Sequence, residues 1–204
     1  MTHVVATVAG TEVPVTDIDA REAELRAAVP AAALPRPGTS EGRQLRRWLT
    51  QLLVTERVIA VEAAAAGVSA DGAPAEEELL QDNSARLEIG SIAAAALGHP
   101  LARAMYTRVT AGVDVTDADV ADYHARNPSR FASPSPAGNG WRTAASETPS
   151  LAAVRPSIVE HLRGAARRRA FRLWLDARRA EHVRLATGYE HPGDPRQPDN
   201  THRH

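Results

Sequence analysis

The chain of 204 residues contains no cysteine and no lysine, and it has few aromatic side chains. Without cysteine, disulfides, thiolate nucleophiles and cysteine-based zinc sites are excluded outright. Aromatics make up 4% of the residues against 43% hydrophobic. The core is therefore expected to rest on Ala, Val, Leu and Ile, with Trp48, Trp174, Tyr123 and Phe131 as its few large pieces. All 24 basic residues are arginine. Together with abundant Ala and Pro this is the composition of a GC-rich genome, so arginine content by itself is no sign of phosphate binding. A formal charge of −1 gives no reason to expect general affinity for nucleic acid or a membrane surface. The opening Met1-Thr2-His3-Val4-Val5 has neither the basic nor the apolar region of a secretion signal, and no apolar run approaches the roughly 20 residues that span a bilayer. The expectation is a cytoplasmic protein with neither nucleic acid nor membrane as partner. Its length suits one sizeable core or two small ones.

What is present is mostly helical periodicity. Val4 to Val8 and Glu12 to Val15 are β-branched runs around Ala9-Gly10-Thr11, which predicts a hairpin turning at Gly10. Pro14 confines the second strand to an edge or a strand end. Thr16 is placed to cap a helix, with Asp19 returning the bond and Ile18, Leu25 and Val29 facing inward until Pro30. After the breaker cluster Pro35-Arg36-Pro37-Gly38, Thr39 or Ser40 caps a helix from Glu41 to Ala66, and Gly67 closes it. Pro74 and Glu76 to Glu78 mark a further helix start. The stretch from Ser91 to Ala111 is broken at Gly98-His99-Pro100. Thr116 caps Asp117 to Arg126, which Asn127-Pro128 ends. Segment 132–147, rich in Ser, Pro and Gly, reads as a linker. The strongest helix runs from Pro156 to His182, with Ile158, Leu162, Ala166, Ala170, Leu173 and Ala177 on one side. Val183 to Leu185 can return to the hairpin as a third strand, and 187–204 is a polar tail rich in His and Pro. The fold class is mainly α with a small β-element.

Two stretches resemble a known family. Val4 to Thr16 looks like the strand–turn–strand–helix opening of the SurA/PrsA-type chaperones that carry parvulin peptidyl-prolyl isomerase domains. Val115-Thr116-Asp117-Ala118-Asp119-Val120-Ala121-Asp122-Tyr123-His124-Ala125-Arg126-Asn127-Pro128-Ser129-Arg130-Phe131 is similar to the segment that leads into the parvulin domain there. Leu151 to Leu185 looks like the returning helix. The resemblance implies one discontinuous helical chaperone domain, here 1–131 with 148–186, whose inserted domain is missing. The intervening 132–147 falls far below the roughly 50 residues of a minimal domain, so the parvulin active-site groups have no positions and isomerase activity is expected to be absent.

Several residues invite functional readings. Gly98-His99-Pro100-Leu101-Ala102 is superficially like the nucleophile motif of malonyl transacylases, but Pro100 has no hydroxyl; a helix break is the better reading. His191, Asp194, Asp199 and His202 in the tail are the candidate acid–base groups, although polar termini usually carry no fixed site. No metal or other cofactor is expected. Arg46, Arg47, Trp48 and Leu52, with Tyr123 and Trp174, are candidates for lining an apolar groove for polypeptide or acyl chain, against the plainer reading as core. The arginine-rich helix around Arg167, Arg168 and Arg169 suits an acidic partner such as an acyl carrier protein, against a solvated face.

Two functions follow as expectations. One is a chaperone-like binding protein that holds a polypeptide or protein partner in an apolar cleft. The other is an accessory, isomerase-like enzyme of an actinobacterial natural-product pathway, acting on a carrier-bound acyl or polyene chain. The enzyme requires a histidine folded against a pocket with a carboxylate in hydrogen-bond reach.

Overall fold

The computed structural model describes residues 3–131 and 150–194. Strands β1 (Val4–Val8) and β2 (Thr11–Pro14) form an antiparallel hairpin. Ala9 and Gly10 both have positive φ, 48° and 81°, the backbone that lets a two-residue turn follow the strand twist. β3 (Val183–Leu185) pairs antiparallel with β1, Ala6 opposite Leu185 and Val8 opposite Val183, so the sheet order is β2-β1-β3. Pro14 accordingly ends an edge strand.

Helix α1 (Val15–Ala28) begins one residue before the expected cap. Pro14 is the N-cap, with no side-chain bond, and Val15 N donates to His3 O at 2.8 Å. The strand, not Thr16, secures the helix start, and Asp19 turns instead to Arg46. α1 ends at Val29 ahead of Pro30 and a short 3-10 turn, Ala31–Ala33. α2 (Ser40–Ala66) is capped by Thr39, whose side chain accepts from Gly42 N, and closed by left-handed Gly67 at φ 65°. It touches α1, β1 and three later helices, which is why Leu49, Leu52, Val54, Val58 and Ile59 are buried around much of its circumference.

Four short helices follow: α3 (Glu76–Leu79), α4 (Asn83–Ile89), α5 (Ser91–Ala96) and α6 (Pro100–Thr110). Arg103 fastens the Gly98-His99-Pro100 break, donating to Pro74 O at 2.6 Å, Leu97 O at 3.0 Å and Gly98 O at 2.7 Å. Carbonyls left open at the end of α5 thereby gain a charged donor. α7 (Asp117–Arg126) has the reciprocal cap between Thr116 and Asp119, and α8 (Pro128–Phe131) follows at once.

The long helix α9 (Leu151–His182) spans 32 residues, about 48 Å at the usual rise. It lies across α2, α4, α6 and α7. Phe171 and Leu175 join the valines of the sheet and the buried face of α2 in one hydrophobic cluster, so chain on both sides of 132–149 builds the same core. Three expectations are corrected here. The helix starts at Leu151 with Ser150 as its N-cap, and Pro156 sits inside it, where it lacks the N–H that would reach back one turn. Its inward residues are Ile158, Arg168, Phe171 and Leu175, whereas Leu173 is 55% exposed. The large core aromatics are Phe171 and Tyr106, with ring centroids 5.1 Å apart, and Trp174 stacks on Phe171 at 5.4 Å. Tyr123 and Phe131 lie at the periphery, edge-on at 6.2 Å. Among the described residues no helix is long and apolar enough to cross a membrane.

Candidate functional site

Where α4 packs on α9, a crevice of about 560 Å³ opens, lined also by residues of α3 and α8. Its floor includes Tyr106 from α6, and its walls are largely charged: Glu78, Asp82 and Glu88 from α3–α4, Arg130 from α8, and Glu160, His161, Arg163, Arg167 and Arg168 from α9. Most of these charges are already engaged. Glu78 accepts from Ala75 N and Asp82 from Ala85 N, each finishing a helix start. Arg168 pairs with Glu88 at 2.6 Å, Arg163 with Asp114 at 2.8 Å, and Glu160 meets Gln81 at 3.5 Å.

Two donors are left over. Tyr106 is 3% exposed, lines the crevice, and its hydroxyl makes no hydrogen bond among the described residues. Arg167 Nε is buried without a hydrogen-bond partner among the described residues. Burial raises the Tyr106 phenol above its ordinary value, opposed by the Arg168 and Arg167 charges, so the group is a neutral O–H donor. His124 Nε2, on α7 beside Phe131, is also buried and has no partner among the described residues. His161 lies against Tyr123 at 5.3 Å, and the Arg130 guanidinium sits 5.9 Å from the same ring. Acids at the rim are satisfied while donors are not, so the crevice suits a ligand that brings hydrogen-bond acceptors.

The groove residues expected from the sequence do not converge. Arg46 is held by Asp19 at 2.6 Å and Glu22 at 2.7 Å, joining α2 to α1. Although burial opposes it, hydrogen bonds from Arg26 and Arg46 keep the Glu22 carboxyl below its usual range. Arg47 is buried and its Nε donates to Gly188 O at 3.2 Å. Leu52 is 5% exposed and belongs to the core. Trp48 is half-buried, its Nε1 3.4 Å from Ser91 Oγ, and Trp174 lies on Phe171. Only Tyr123 borders the crevice. Among the described residues no apolar groove unites the six, because α2 packs against α1, β1, α5, α6 and α9.

The tail residues divide. Asp199 and His202 lie outside the described residues. His191 and Asp194 follow a stretch docked on α2: Gln51 Nε2 donates to Tyr189 O at 2.8 Å, and Tyr189 lies 5.9 Å from the His3 ring. His191 lines a second recess of about 220 Å³ with Arg172, Asp176 and Arg179 of α9 and the α4–α5 junction. Its Nδ1 accepts from Gly193 N at 3.0 Å, and no carboxylate bonds its ring among the described residues. Burial, then the Arg179 charge, lowers its pKa from the ordinary 6.5 against the opposing pull of Asp194. His99 stands at the α5–α6 break with Nε2 3.0 Å from Glu56; the motif around it is a helix break, as the missing hydroxyl implied.

Residues 4–41 match a family of unknown function (DUF7158), a span that covers β1, β2, α1 and the first residues of α2. No curated protein and no solved structure matches the chain. The matched span contains none of the crevice residues. Tyr106 and Glu88 are not distinguished by anything local in the sequence, whereas Arg167 and Arg168 stand out there only as part of a basic helix face. Arg168 had a usable signal: it falls on the helical spacing Ile158, Arg168, Phe171, Leu175.

Proposed function

We propose that this chain is a non-catalytic, chaperone-like binding protein of the cytoplasm that holds an extended polypeptide in the α4–α9 crevice, on a SurA/PrsA-type scaffold without an isomerase domain. The observation that carries this reading is Arg167 Nε, buried without a partner among the described residues, beside the Tyr106 hydroxyl, which has no protein acceptor there, in a crevice where Glu78, Asp82 and Glu88 are already bonded. A polypeptide presents backbone carbonyls at every residue, and buried donors gain most from such acceptors. The scaffold reading is supported by the hairpin–helix opening, by β3 returning to β1, and by the shortness of 132–147. The cleft is polar rather than the apolar one expected from Trp48 and Leu52, so the client is held by hydrogen bonds and charge more than by burial of large apolar side chains.

The enzymatic alternative asks His191 to move a proton. With Nδ1 engaged by Gly193 N–H, the neutral ring carries its hydrogen on Nε2 and offers no free lone pair to a substrate. An acidic carrier protein on α9 is likewise less favoured, because Arg163, Arg168 and Arg178 are each in ion pairs.

The test is binding of a permanently unfolded, carboxymethylated polypeptide, followed by calorimetry. Tyr106→Phe and Arg167→Gln each remove one donor worth about 1.4 kcal/mol to a bound acceptor, so each weakens affinity about tenfold. Unchanged affinity in both variants would sink the proposal.

A further inference from the structure

The recess around His191 lies further along α9 than the crevice and has a different chemistry. Its charged lining is two guanidiniums, Arg172 and Arg179, against one carboxylate, Asp176. Among the described residues Arg179 is engaged only with neutral acceptors: Gln51 O at 3.4 Å, Gln51 Oε1 and Thr55 Oγ1. Burial lowers its pKa from the ordinary value, with Asp176 opposing. The cation thus sits in a partly desolvated place, with no bonded counter-ion among the described residues. Arg172, exposed at the rim, donates to Glu88 O at 3.2 Å and has further N–H groups. His191 adds a donor, because the Gly193 N–H on Nδ1 leaves Nε2 to carry the ring hydrogen. The recess is also lined by Ile89, Ile92 and Leu175. A cavity of about 220 Å³ is smaller than the several hundred Å³ usual for a drug-sized ligand, and suits one residue's worth of ligand.

We propose that this recess receives the C-terminal residue of a polypeptide, its carboxylate on Arg179, Arg172 and His191 and its small aliphatic side chain against Ile89, Ile92 and Leu175. The inference rests on the polypeptide-binding reading and specifies which end of the client is read. A planar carboxylate matches the fork of a guanidinium, and aliphatic walls select the side chain beside it. The layout fits. From Glu160 in the crevice to Arg179 in the recess α9 rises about 28 Å, the length of roughly eight extended residues. Glu88, which lines the crevice, also accepts from Arg172 of the recess through its carbonyl, so the two sites adjoin at one turn of α4.

The experiment uses the full chain and follows the His191 imidazole by NMR, its signal assigned from a His191→Gln spectrum. Three probes are titrated: N-acetyl-leucine, N-acetyl-leucinamide and 4-methylpentanoate. N-acetyl-leucine is expected to shift the His191 signal and saturate, with at least tenfold weaker binding for the amide and for the Arg172→Gln variant, whose exposed side chain can be changed without disturbing the fold. Equal binding of acid and amide, or a His191 signal that responds to neither, overturns the assignment. Binding of 4-methylpentanoate as tight as that of N-acetyl-leucine overturns the polypeptide end in favour of a free aliphatic acid. Amides of α4 and α9 at the crevice report separately on the unfolded polypeptide, so failure there is distinguishable from failure here.

Discussion

Arg168 Nη2 lies 2.6 Å from Glu88 Oε2, an ion pair that ties the middle of α9 to α4 at the wall of the crevice. The two ends differ in environment: the Arg168 side chain is 10% exposed and that of Glu88 45%. Removing the glutamate leaves a buried guanidinium without its anion, whereas removing both charges leaves nothing to desolvate.

Glu88→Gln is therefore expected to destabilise the fold by about 1–3 kcal/mol, measured by urea denaturation. The double variant Glu88→Gln with Arg168→Met is expected to recover most of that loss. A single variant within experimental error of the parent would show that the pair holds nothing together.

Gly42 offers a case where helix propensity points the wrong way. It occupies the first turn of α2, and a Cβ there would stand 2.3 Å from Arg36 O. Ala is the better helix former by about 1 kcal/mol, yet Gly42→Ala is expected to lower the melting temperature, because backbone must move to admit the methyl group. A rise in melting temperature would contradict the close approach.

Tyr106→Phe separates stability from function. The hydroxyl has no partner to lose in the free protein, so its removal is expected to be neutral or stabilising in denaturation, while affinity for an unfolded polypeptide falls. A variant that loses stability and binding together would show that the hydroxyl is structural.

Acid sensitivity follows from Glu22. Its folded-state pKa lies below the ordinary 4.5, held there against burial by Arg26 and Arg46. A depressed carboxyl contributes stability that is complete above its unfolded value and is lost as pH falls through the folded one. The Glu22→Gln variant is thus expected to be less stable than the parent at pH 7 and to approach it as pH falls below the ordinary 4.5 and through the lower folded-state value. A constant difference across that window would mean that the ion pairs with Arg26 and Arg46 do not set the stability.

Local chemistry was readable in the sequence, and long-range orientation was not. Gly10, Thr39, Gly67 and the Thr116–Asp119 pair act within a few residues of themselves, so the turn, the caps and the α5–α6 break stand where spacing put them. The third strand was legible because Val183 to Leu185 follow directly on α9. The start of α1 was misread because the donor at Val15 is satisfied by His3, a strand residue, rather than by a neighbouring hydroxyl. In α9 the alanines on several faces gave no unique inner stripe, and packing on α4 and α6 turned Phe171 inward and Leu173 out. The crevice depends on residues from five helices meeting, of which the sequence pointed only to Arg167 and Arg168, as a basic face, and to Tyr123 beside its lining residues His161 and Arg130. His191 was singled out too, as an acid–base group, but a bond to Gly193 makes it a donor instead.

The most direct test of polypeptide capture is to map an unfolded, carboxymethylated chain onto the protein by backbone amide shifts. The account predicts shifts concentrated on α4, α6 and α9 around Glu88, Tyr106 and Arg167, weakened about tenfold in Tyr106→Phe. Saturable binding whose shifts lie elsewhere and are indifferent to Tyr106→Phe, or no binding at millimolar concentration, would contradict it.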